Sequence, residues 1–169
     1  AFSYMTIDIT LSPIYRIGGQ EITGLTGLIA LSPPQTAARG RERDRLIAYL
    51  LLTGNSTFST REYMQVAVDA ANAFYKTSGA LTTALKAAAE KANVILLERN
   101  MTTSKNGQFA VGWLTLAAVR ESQCTLALSG PMHVYWFGHN EMRHIHEPAV
   151  SGKGLGTNQT TNIHYSQTS

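Results

Sequence analysis

FAVGWLTLAAVRESQCTLALSGPMHVYWFGHNEMRHIH, residues Phe109 to His146, decides the fold. Apolar and polar residues alternate with a period of two through Ala110 to Val119, Cys124 to Ser129, His133 to Phe137 and Met142 to His146. The breaks between these runs are Glu121-Ser122-Gln123, Gly130-Pro131 and Gly138-His139-Asn140, each long enough for a hairpin and too short for a crossover helix. The pattern predicts an antiparallel meander. Downstream, Gly152-Lys153-Gly154-Leu155-Gly156 reads as a loop and Asn162 to Gln167 as one more strand.

Working back towards the start, the period changes to that of a helix. Ser59-Thr60-Arg61-Glu62 has capping-box spacing, and Tyr63, Val66, Ala67, Ala70, Ala71 and Phe74 follow at intervals of three and four, which predicts a helix from Thr60 to Tyr75. After Thr77-Ser78-Gly79 the residues Ala80 to Arg99 are rich in Ala, Leu, Lys and Glu, which predicts a second helix stopped at Asn100. A turn this tight sets the two helices side by side. Before them, Leu46 to Leu52 is a continuous apolar run that reads as a strand buried on both faces. Gly24 to Ser32 is a strand closed by Pro33-Pro34, and Phe2 to Ile9 is another.

Strands, a helix pair and strands again, sharing one core, define an α+β class: antiparallel β-sheet flanked by an antiparallel pair of helices. The 169 residues suit a single domain, 1–169, and the start on Ala1 and the final strand suggest a fragment. Hydrophobic residues make up 44% and charged residues 15%, the balance of a folded chain. The net charge of +3 is spread along the sequence, unlike the clustered basic face that nucleic-acid binding uses. No apolar run reaches the roughly 20 residues of a membrane span. Cys124, the one cysteine, sits in an apolar run and reads as a buried strand residue in a reducing, cytoplasmic protein.

The helix ending Ala92-Asn93-Val94-Ile95-Leu96-Leu97, the strand Val111-Gly112-Trp113-Leu114-Thr115 to Val119, and the strand Thr125 to Ser129 running into Gly130-Pro131-Met132-His133-Val134-Tyr135 resemble, in order and spacing, the middle of the PPM-type (PP2C-like) metal-dependent serine/threonine phosphatases. Arg39 to Asp44 is similar in position to the family's R..NxD element, and Leu52-Thr53-Gly54 to its DG turn. The resemblance covers residues 24 to 167 and implies a PP2C-like α/β sandwich, C-terminally truncated. It also implies hydrolysis of phosphoserine or phosphothreonine by water held between two Mn²⁺ or Mg²⁺ ions, which need several carboxylate oxygens.

The chain has three aspartates, Asp8, Asp44 and Asp69, and only Asp44 falls near a family metal position; Thr53 and Pro131 stand where two further acids belong. The resemblance therefore implies the fold without its usual catalysis: a pseudophosphatase that works by binding a protein partner in a regulatory role, with no cofactor. Two alternatives stand beside it. One is an active phosphatase using Mn or Mg at a rebuilt site; the other is an unrelated α+β structural module.

Arg39, Arg41, Arg43 and Arg45 would share one face of an extended segment and could clamp a phosphate, or form a solvated edge with Glu42 and Asp44. His139, His144, His146 and Glu147 crowd together, with His144 and His146 on one strand face as metal ligands would be, or as polar decoration of a hairpin. The last strand leaves an open edge through which a homodimer could form.

Overall fold

The computed structural model describes residues 8–169. The strand expected over Phe2 to Ile9 lies mostly outside them; Asp8 and Ile9 themselves belong to irregular chain. The elements run β1 (Arg16–Ile17), β2 (Gln20–Glu21), β3 (Leu28–Leu31), β4 (Arg45–Gly54), α1 (Thr60–Lys76), α2 (Leu81–Thr103), β5 (Ala110–Arg120), β6 (Gln123–Ser129), β7 (Val134–Phe137), β8 (Met142–Ile145), α3 (Pro148–Ser151) and β9 (His164–Thr168).

Five strands form one antiparallel sheet in the order β3-β4-β5-β6-β9, with Leu50 opposite Leu114 and Leu116 opposite Ala127. One face carries Leu46, Ala48, Leu50, Leu114, Leu116, Ala118 and Ala127, all buried under the two helices. The helices answer with Val66, Ala67, Ala70, Phe74, Ala84, Leu85, Ala88 and Leu96. So many alanines let the helices sit close to the sheet and to one another, and burial of the larger side chains contributes roughly 2 kcal/mol each.

The capping box forms as its spacing requires: Glu62 N donates to Ser59 Oγ at 3.1 Å and Ser59 N to Glu62 Oε2 at 2.8 Å. The second helix runs past the expected stop. Asn100 lies inside α2, its amide committed to Ala110 and Gly156, and the helix ends in a 3-10 turn before Gly107. The helical pair leaves and rejoins the sheet at one point, where Asn55 Nδ2 donates to Gly107 O (3.0 Å) and Phe109 N to Asn55 Oδ1 (2.9 Å).

Two strand expectations are corrected. The apolar run in β4 is buried on alternate residues only, with Ile47, Tyr49 and Leu51 half-buried on the face away from the helices. The meander is also broken: β9, not β7, pairs with β6. Strands β7 and β8 instead make a separate hairpin whose Val134, Trp136 and Ile145 pack on Cys124, Leu126 and Leu128, covering part of that second face. The reason is local. Gly130, at φ +91°, turns the chain tightly against Trp113, where a Cβ would meet the indole Cδ1 at 2.8 Å, and so sends it out of the sheet.

Candidate functional site

At the end of the sheet where β4 finishes, Thr53-Gly54, Gly112-Trp113, Gly130-Pro131 and Lys153-Gly154 come together. Gly112 exchanges two backbone hydrogen bonds with Leu155, at 3.0 and 2.7 Å, and its missing Cβ would stand 2.5 Å from Leu96 Cδ1. The following loop is pinned from below by Asn93, which is 2% exposed: Gly156 N donates to its Oδ1 at 2.7 Å, and its Nδ2 donates to Asn158 O at 2.8 Å. Asn100 Nδ2 donates to Gly156 O at 2.8 Å. The loop borders a cleft of about 720 Å³ whose lining includes Trp113, Pro131, Lys153, Asn158, Thr160 and Asn162. Among the described residues its one charged lining residue is Lys153, and Thr53 Oγ1 is spent on Val111 O at 3.2 Å.

Asp44 is elsewhere. It immediately precedes β4 and Gly54 ends it, so the ten-residue strand sets the aspartate at the opposite end of the sheet from this cleft. Asp44 is fully buried, and Arg120 grips it with Nε on Oδ1 (2.7 Å) and Nη2 on Oδ2 (2.9 Å). Arg41, 2% exposed, places Nη1 2.8 Å from Oδ2 and donates from Nη2 to Gly79 O at 2.6 Å. The Asp44 hydrogen bond holds the Arg120 guanidinium above its ordinary pKa.

The Arg39–Arg45 segment is turned rather than extended, so its arginines do not share a face. Arg39 is exposed, Arg41 faces the core, Arg43 reaches Glu121 at 3.7 Å, and Arg45 opens β4. Asp69, on α1, accepts from Gln65 at 2.9 Å. Cys124 is buried, as its apolar setting suggested, and burial raises its thiol pKa.

The histidines assemble differently from the expected pair. His133 Nδ1 is 2.9 Å from His144 Nε2, with rings 7° from parallel and 5.2 Å apart, the geometry of two imidazoles bonded edge to edge. His146 stacks on His133 at 3.7 Å and Tyr135 on His144 at 4.5 Å, while His146 Nδ1 lies 2.8 Å from Met132 O. The facing nitrogens of His133 and His144 are engaged with each other in a hydrogen bond, and His146 Nδ1 with Met132 O, rather than converging on a shared point. His139 and Glu147 have no part in these contacts. Three residues that organise these regions, Asn93, Asn100 and His133, were not among the candidate site residues in the sequence, where Asn100 stood only as a helix stop; the Ala92-Asn93 pair was the one visible signal.

A pair of Mn²⁺ or Mg²⁺ ions does not fit the residues present at the cleft. Those ions take carboxylate oxygens, and the cleft offers hydroxyls, amides and a cation. Among the described residues no group of three or more His, Cys, Asp or Glu side chains is set to hold a metal.

No protein-family model and no curated protein sequence matches the chain. Solved structures do. A bacterial serine phosphatase superposes with a TM-score of 0.58 at 12% identity, over 83% of this chain and 69% of that one. Serine/threonine phosphatase Stp1 from Staphylococcus aureus gives 0.53 at 10%, over 83% and 69%. The catalytic domain of the serine threonine protein phosphatase PstP, in complex with two manganese ions, gives 0.54 at 16%, over 83% and 71%. The chain thus spans about two thirds of the length of the phosphatases it resembles.

Proposed function

On the premise that this chain has the fold of the PP2C-type serine/threonine phosphatases, we propose that it is a module of that fold which binds rather than hydrolyses. One observation carries the reading: the cleft bounded by the Gly130-Pro131 turn and the Lys153 loop is rigidly built from Asn93, Asn100 and close-packed glycines, yet has no acid among its lining residues. Its Lys153 opposes a second cation by Coulomb repulsion. Asp44, the acid nearest a family metal position by sequence, is held by two arginines at the far end of the sheet. The reading fits a regulatory role with a protein partner in a reducing cytoplasm, and either outer sheet edge, β3 or β9, could take a partner strand, including that of a second copy.

The test is titration calorimetry with Mn²⁺ and Mg²⁺ beside an aryl-phosphate hydrolysis assay. Neither saturable binding nor turnover above the buffer rate is expected. Micromolar Mn²⁺ binding accompanied by metal-dependent turnover above the buffer rate would establish the active-phosphatase alternative instead.

A further inference from the structure

The β7–β8 hairpin is a short cover fastened chiefly at its base. Its strands are four residues each, a length that is marginal without support. It rests on Cys124, Leu126 and Leu128 through Val134, Trp136 and Ile145, and the buried Trp136 indole N–H finds no acceptor there. The fastening is at the open end, where the two strands leave the body of the protein. There His133 precedes β7, His144 lies on β8 and His146 follows it, and the three rings join across the gap.

We propose that this hairpin is an acid-released flap: neutral His133, His144 and His146 clamp its base, and protonation of the trio lifts it and bares the apolar surface at Cys124, Leu126 and Leu128. The chemistry follows from counting protons. In the neutral pair one ring N–H is donated to the other ring's lone pair. A first added proton leaves an N–H⁺ facing a lone pair, so the bond survives. A second puts a proton on both facing nitrogens and the bond is lost, while His146, 3.7 Å from His133, adds like charge against its face. Partial removal from water, then the neighbouring charges of His146 and His144, lower the pKa of His133 from its ordinary value. The other titratable or charged groups on these elements are Tyr135 on β7, stacked on His144, Glu141 and Arg143 on the hairpin arms and turn, His139 in the turn, Glu147 before α3, Cys124 beneath, and His164 and Tyr165 on β9; Arg143 ties β8 to β9 by donating to Gln167 O at 3.0 Å.

Cys124 is the chain's one cysteine, so its reactivity reports the flap directly. The intact chain would be treated with 4,4′-dithiodipyridine, a disulfide reagent active in acid, and each rate divided by that of the urea-unfolded chain at the same pH. Between about pH 7.5 and about pH 5 the ratio is expected to rise roughly tenfold with far-UV ellipticity unchanged. His139→Gln should behave as wild type. The double variant His133→Asn/His144→Gln should give a ratio independent of pH, high if the ring–ring bond is needed to close the flap and low if only charge opens it. A flat wild-type ratio, a rise that persists in the double variant, or a rise that accompanies loss of ellipticity would each overturn the proposal.

Discussion

Asp44 ties together several parts of the chain. At its carboxylate, Arg41 brings the α1–α2 turn through Gly79 and Arg120 brings the end of β5; at its backbone carbonyl, Tyr75 Oη on α1 lies 2.8 Å from Asp44 O and 2.9 Å from Leu31 O. Replacing Asp44 with Asn leaves Arg41 a buried cation with its counter-charge gone, and urea unfolding should register a loss of about 3–5 kcal/mol. Tyr75 gives an alkaline signature. Burial pushes its pKa up to about 12, while in the unfolded chain it ionises near 10. The folded chain therefore keeps a proton that the unfolded chain gives up, so stability is intact below pH 10 and drains away as pH climbs towards about 12. Tyrosinate absorbance followed alongside far-UV ellipticity should show ionisation and unfolding together. The sequence made Asp44 conspicuous as a solitary acid, but its chief partner lies 76 positions away, and no local pattern points across that gap.

Helix ends were the most legible elements where a side chain caps its own turn, and the least legible where the cap belongs to another element. The Ser59 box satisfies two orphan amides within four residues, so it could be read directly; Ser59→Ala should cost about 1 kcal/mol by urea denaturation. Asn100 has the composition of a stop, yet its amide is taken by the start of β5 and by Gly156, so nothing ends the helix there. The same holds for β7 and β8. Their alternation and turn were visible, but whether a hairpin joins the main sheet or folds over it depends on how Gly130 meets Trp113, a packing fact that period-two spacing does not encode. In the cleft, the absence of acids at Thr53 and Pro131 could be read in advance, whereas the Asn93 anchor needed the loop in place above it.

At the scale of the molecule, the order of strands and helices was enough to indicate a layered α+β domain, and the superposed phosphatases bear that out. Where the acid sits within that frame was not, because Arg39 to Asp44 lies on the β3–β4 connection, at the other end of β4 from the cleft. The junction at Asn55 and Phe109 bears on how the chain reaches this architecture. Strands β4 and β5 pair across 58 positions at Thr53 and Val111, a separation that would ordinarily make the step slow. The intervening segment is a helical hairpin with local contacts, and once formed it delivers both strand ends to each other, shrinking the effective loop to a tight turn. Folding speed is then set by the helix pair. Ala88→Gly, in the buried interior of α2, should slow refolding in stopped-flow measurements by most of its stability loss and leave the unfolding rate nearly untouched. The central sheet would thus owe its assembly rate to a layer that contributes none of its hydrogen-bonded ladder.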